Sequence, residues 1–165
     1  MHPESLSIIN QFIKRHLSID NKLKILDVGS YDVNGSYRHL FANPNWEYIG
    51  LDIEPGPNVD FVSVDEYNFG LPSDSFDVVL SGNTIEHVRD IFSWIKEIAR
   101  VTLPGGLVCI TTVTNIDYHP HPVDCWRIMP DGYEYLFNIA GLTIEEIQIV
   151  EKTVHGDIIG VARKK

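Results

Sequence analysis

A chain of 165 residues, 44% of them hydrophobic, has apolar surface for one folded core and does not have the composition of a disordered segment. Its formal net charge of −10 repels phosphate backbones, which excludes broad electrostatic binding to nucleic acid but not the binding of a small cation. The opening MHPESLSIINQF is not a basic start followed by a long apolar run, and no segment has the length to cross a bilayer.

Two cysteines, Cys109 and Cys125, make neither a disulfide framework nor a CxxC metal pair, so a reduced, cytoplasmic protein is expected. Leu6, Ile9, Phe12, Ile13 and Leu17 recur at helical spacing and predict an amphipathic helix over residues 4 to 18. The apolar run Leu23 to Val28 ends at a glycine and reads as a buried first strand. A short helix is expected over Ser36 to Ala42, and a second strand over Glu47 to Asp52. Proline and glycine crowd Glu54 to Asn58, so no long helix fits there. Strands three and four are expected from Val59 and from Phe76. Ile91, Trp94, Ile95, Ile98 and Ala99 form another helical stripe, stopped by Pro104, Gly105 and Gly106 before a fifth strand from Leu107.

The last third reads differently. Asn115 to Pro130 is polar and rich in proline and histidine, and a short helix follows through Tyr135 and Ile139. Thr143 to Val150 and Asp157 to Ala162 are strand-like, with a His155-Gly156-Asp157 turn between them, which predicts an antiparallel hairpin at one sheet edge. Strands alternating with helices before it indicate an α/β fold: a mostly parallel sheet with helices on its faces. No repeat or linker divides the chain, so a single domain over 1–165 is expected, with an N-terminal helix within 1–20 and a lid loop over 113–130.

In such open sheets, ligands sit beyond the carboxyl ends of the strands where the strand order reverses. Strand one runs through Asp27 into the turn Gly29-Ser30-Tyr31-Asp32-Val33-Asn34-Gly35. Gly29 lets the backbone approach a ligand, Asn34-Gly35 can adopt positive φ, and free N–H groups in the turn would hold a carboxylate. A plain strand-to-helix connection explains the same residues. Strand two ends at Asp52, next to Ile53, where a carboxylate can accept from both hydroxyls of a ribose. A solvated strand-end Asp is the alternative there. Asp65-Glu66 close strand three and are placed to accept from an adenine amino group.

The segments ILDVG, YIGLD, VDEYNFGLPSDSFDVVLSGNTIEHV and RVTLPGGLVCITT resemble the class I S-adenosylmethionine-dependent methyltransferases, from about Leu23 to about Gly141. The resemblance implies a doubly wound, Rossmann-like sheet of order 3-2-1-4-5-7-6 with strand seven antiparallel. It also implies S-adenosylmethionine as cofactor, bound by Asp27, Gly29, Ser30, Tyr31, Asp52, Ile53, Asp65, Glu66, Ser81, Gly82 and Asn83. Ser81 to Asn83 would line its methionine portion, and His87 would face the methyl group. The chain departs from the glycine-rich D-x-G-x-G-x-G turn of most relatives and is similar to a subset with a DVNGS-like turn. A Rossmann dehydrogenase fits less well, because G-x-G-x-x-G is absent.

Methyl transfer from a sulfonium needs alignment and no covalent nucleophile, so the lack of a Ser-His-Asp signature costs nothing. Glu86 and His87 also suit helix capping and packing. His119 and His121, on the expected lid with Asp124, Trp126 and Arg127, are candidate bases or acceptor-binding groups. Two histidines two residues apart, with proline on both sides of the second, do not complete a ligand set, so no metal is expected. Trp46 and Trp94 read as packing residues and Cys109 as an inert buried thiol. The expected function is therefore methyl transfer to a small-molecule or sugar-like acceptor, with S-adenosylhomocysteine as product and no nucleic-acid or membrane partner. A catalytically silent cofactor-binding regulatory module is the alternative, and a homodimer that closes the pocket is open.

Overall fold

Alternation of apolar side chains along the central strands forces both faces of the sheet to be covered. In the computed structural model, which describes residues 3–150 and 153–165, β1 (Leu23–Val28) sends Leu26 to one face and Ile25 to the other. β4 (Phe76–Gly82) divides Val79 from Val78, and β5 (Thr102–Val113) divides Val108 from Cys109, in the same way. Helix α1 (Pro3–His16) covers one face with Ile9 and Phe12. Helices α2 (Ile91–Val101) and α3 (Pro130–Ile139) cover the other with Trp94, Ile95, Ile98, Tyr133 and Phe137. The start of α2 is fixed by Asp90, whose carboxylate accepts from the Phe92 and Ser93 amides at 3.1 Å each.

With β2 (Trp46–Asp52), β3 (Phe61–Val62), β6 (Leu142–Ile149) and β7 (Asp157–Lys164), the strands make one seven-stranded sheet of order β3-β2-β1-β4-β5-β7-β6. β7 runs antiparallel to both β5 and β6. This is the order and the odd strand that the family resemblance implies, and the β6–β7 hairpin forms. The order reverses between β2 and β4 at β1, so the crevice opens at the carboxyl ends of β1 and β4. Met1, His2, Glu151 and Lys152 lie outside the described residues, so the expected segment 1–20 is seen only from Pro3. Among the described residues, no helix is long and apolar enough to cross a membrane.

Several elements differ from expectation. The helix over Ser36 to Ala42 is a single 3-10 turn, Arg38–Phe41. β3 holds only two residues, because the Asp65 carboxylate accepts from the Tyr67 and Asn68 amides at 2.7 Å each and bends the chain away. Asp65-Glu66 therefore belong to a turn rather than a strand end. β5 begins at Thr102, and Pro104-Gly105-Gly106 sit inside it as an irregularity between the Phe76–Thr102 and Val78–Leu107 pairs.

Candidate functional site

The turn after β1 is held from below. The Gly29 and Ser30 amides both donate to the Leu51 carbonyl, at 2.9 and 3.0 Å, and the Tyr31 amide donates to Asp52 Oδ2 at 2.9 Å. The Gly29, Ser30 and Tyr31 amides are thus already spent, because β2 lies alongside and supplies acceptors. Gly29 has φ of 80° and Gly35 of 127°, whereas Asn34 is not among the positive-φ residues. A Cβ on Gly29 would stand 2.1 Å from Thr84 Oγ1, so glycine is required by the neighbouring β4 loop as well as by its own φ.

Two residues that sequence reasoning missed stiffen this turn. Asn58 donates its side-chain amide to the Ser30 carbonyl at 2.8 Å, and its Oδ1 accepts from Arg38 Nε at 2.6 Å. Arg38 continues to Asp60 Oδ2 at 2.5 Å, and its guanidinium lies 4.6 Å from the centre of the Tyr48 ring. Asn58 sits at φ 68°, a conformation asparagine tolerates. The Asn-after-Pro position at the end of EPGPN was the only sequence signal, and it points to a turn, not to a partner.

The turn forms one wall of a cavity of about 790 Å³. Asp27, Gly29, Ser30, Tyr31, Asp52 and Ile53 line the end nearest β2. Gly82, Asn83 and Glu66 also reach it, whereas Ser81 and Asp65 do not. Ser81 lies beneath, fully buried, donating to the Val28 carbonyl at 2.7 Å. Asp65 is exposed and engaged in its own turn. Asp52 holds its backbone in place through the Tyr31 amide and, on Oδ1, the Ile53 amide at 2.8 Å. Oδ1 also accepts from the Glu54 amide at 3.4 Å, so Oδ2, with one amide, is the less engaged oxygen. Glu66 accepts from the Tyr67 hydroxyl at 2.7 Å and from Arg89 at 2.9 Å.

At the far end the cavity is walled by Glu86, His87, His119 and His121. The His87 ring stands 5.1 Å from that of His119 and 5.7 Å from that of His121, edge-on to both. They meet because the segment after β5 is tied to the 3-10 turn Ile85–His87. The Cys125 amide donates to the Glu86 carbonyl at 2.7 Å, and Trp126 Nε1 to the Val88 carbonyl at 2.7 Å. Asp124 braces the bend: its carboxylate accepts the His119 amide at 2.9 Å and pairs with Arg127 at 2.6 and 2.8 Å. The Arg127 guanidinium holds that carboxyl well below the usual range. Burial lowers the pKa of His87, favouring the neutral ring, and burial raises that of Glu86. Trp94 lines the cavity as well as the core, and Cys109 is buried in β5 with its thiol pushed up by desolvation.

A seven-stranded sheet of this order with a crevice at β1 and β4 defines the class I S-adenosylmethionine-dependent methyltransferase fold. The family described as a methyltransferase domain matches residues 26–110, just over half of the chain, and the chain belongs to it. An uncharacterized methyltransferase of Mycobacterium sp. (strain JLS) is 33% identical over 96 residues, covering 53% of this chain and 37% of that protein. A probable S-adenosylmethionine-dependent methyltransferase of Mycolicibacterium smegmatis is 28% identical over 159 residues, covering 83% of this chain and 61% of that protein. The chain thus spans between about a third and three-fifths of the length of these relatives. Among solved structures, the 1,6-didemethyltoxoflavin-N1-methyltransferase of Burkholderia thailandensis, with bound 1,6-didemethyltoxoflavin and S-adenosylhomocysteine, superposes with a TM-score of 0.77 at 16% identity. That match covers 98% of this chain and 78% of that one, and it shows the fold.

Proposed function

We propose that the chain transfers a methyl group from S-adenosylmethionine to a small-molecule acceptor held beside His87, His119 and His121. One observation carries the reading: a single cavity runs from Asp52 at the end of β2 to the three histidines. The cofactor supplies a sulfonium-bound methyl group that any aligned nucleophile can displace.

The protein's own part is placement. Asp52, which lines the cavity and has only the Tyr31 amide on Oδ2, is suited to accept from ribose hydroxyls. Glu66, and not Asp65, is the acidic side chain within reach of an adenine. Asp27, Gly29, Ser30 and Tyr31 shape the methionine end beside Gly82 and Asn83, with Ile53 as an apolar flank. Alignment of this kind is worth roughly 7–11 kcal/mol of the barrier. The imidazoles at the other end are able to bind an acceptor and receive its proton, which typically adds about 10²–10⁴-fold. A net charge of −10 and a concave site favour a small acceptor over a nucleic acid.

Isothermal calorimetry with S-adenosylmethionine and S-adenosylhomocysteine tests the reading, with Asp52→Ala alongside. Saturable binding is expected in the wild type, weakened at least tenfold in the variant. A thermal shift with NAD that exceeds the one with S-adenosylmethionine would sink it.

A further inference from the structure

We propose that Glu86, His87 and His119 form a binding site for a divalent transition-metal ion of the zinc type at the acceptor end of the cavity. One ligand atom from each of the three lies within 4.8 Å of the other two. Ligand atoms bound tetrahedrally to zinc at about 2.0–2.2 Å stand roughly 3.3–3.6 Å apart, so side-chain movements of about an ångström close the set.

The surrounding hydrogen bonds prepare both imidazoles. His87 Nδ1 faces the Val123 carbonyl at 2.6 Å, and His119 Nδ1 faces the Asp117 carbonyl at 3.0 Å. A carbonyl accepts only from a protonated nitrogen, so the neutral form of each ring that these contacts favour carries its proton on Nδ1 and leaves Nε2 bare. That is the tautomer a metal binds, steadied by an acceptor behind it. His119 Nδ1 also lies 3.3 Å from Asp124, which gives this ring the carboxylate–histidine backing common behind metal ligands.

Glu86 supplies an independent observation. It is 1% exposed, and its Oε2 accepts from Thr112 at 2.7 Å. Its Oε1 is buried and meets no hydrogen-bond donor among the described residues. A buried carboxylate oxygen without a partner is costly, and a cation shared with two imidazoles removes that cost. Asp124 does not compete for the ion, because Arg127 already holds both its oxygens.

Two imidazoles and one carboxylate match zinc sites that keep a position open, and they also suit Fe²⁺, Co²⁺ and Mn²⁺. Glu86, His87 and His119 all line the cavity, so the open position faces an acceptor. An ion there would take an oxygen of the acceptor and leave His121 to receive a proton. That role rests on the methyl-transfer reading, whereas uptake of the ion does not.

Chelator-treated protein titrated with Zn²⁺ by calorimetry, and with Co²⁺ by visible absorption, tests the site. One ion per chain is expected, with d–d bands for bound Co²⁺ and a Tm that rises with ion concentration. Glu86→Gln and, separately, His119→Ala should each weaken binding at least tenfold. His119 is on a loop, so His119→Ala decides the matter even where Glu86→Gln fails to fold. Binding of S-adenosylmethionine measured on the same samples separates a failure of the methyl-transfer reading from a failure of this one. No ion uptake by the wild type, or undiminished uptake by His119→Ala, overturns the proposal.

Discussion

The Tyr48 hydroxyl donates to the Asp27 carboxylate at the floor of the cavity, joining the middle of β2 to the end of β1. Asp27 is 3% exposed, and burial pushes its carboxyl up to about 7 against the pull of Tyr48 and Arg38. The group therefore stands at the edge of ionisation near neutral pH, where an arriving positive charge decides its state.

A cationic ligand beside Asp27 favours the carboxylate, so binding below pH 7 has to expel a proton. Affinity for S-adenosylmethionine is expected to rise from pH 5 to 7 and then level off. Calorimetry in buffers of differing ionisation enthalpy reads the released proton directly, and Asp27→Asn should abolish the release.

The same group sets a slope in stability. Unfolded Asp27 loses its proton near pH 4, whereas the folded protein keeps it to about 7. Its contribution to stability is thus fully present below pH 4, falls by about 1.4 kcal/mol per pH unit on the way to 7, and is flat above. Urea unfolding across this range should show the decline in the wild type and its loss in Asp27→Asn.

Gly29→Ala places a methyl group against Thr84 and a side chain at a φ of 80°. The conformational cost alone is about 1–2 kcal/mol. The variant should bind S-adenosylmethionine at least tenfold more weakly while the far-ultraviolet circular dichroism stays that of the wild type. Equal affinity would show that the turn does not seat the cofactor.

Arg127→Met leaves the Asp124 carboxylate, 1% exposed at its side chain, without its charged partner. Losing charge-assisted hydrogen bonds of this type costs about 1.5–3 kcal/mol. Denaturant unfolding should show that loss, and limited proteolysis should cut within residues 114–129 faster than in the wild type.

The thiols give a simple check on the packing. Cys125 is exposed and Cys109 is buried in β5. One cysteine per folded chain should react promptly with a thiol reagent, and the second only in denaturant.

The strands that carry the site were legible because each joins an apolar run to a punctuating residue: Val28 to Gly29, Leu51 to Asp52, Leu80 to Gly82. Asp52 was singled out by its distance from Gly29, and it lines the cavity. Long-range polar partnership was not legible. Nothing local marks Asn58 as the partner of Ser30, or the Leu51 carbonyl as the acceptor that takes up two amides of the turn. Glu86 and His119 lie some thirty residues apart, and long-range ties such as those from Cys125 to the Glu86 carbonyl and from Trp126 to the Val88 carbonyl bring their side chains together. The shortness of β3 escaped for a related reason: the apolar residues run on past Val62, and the Asp65 side chain overrides them.

β7 is the last strand in the sequence yet lies inside the sheet, between β5 and β6, with Ile158, Val161 and Ala162 fully shielded. Synthesis runs from the amino terminus, so β5 leaves the ribosome with one edge unsatisfied and has to wait some forty-five residues for its neighbour. Until then the newborn chain carries a bare, apolar strand edge of the kind that pairs with other molecules. The half that carries the turn at Gly29 precedes it in synthesis, while cover for the β5 edge arrives only with residues 157–164.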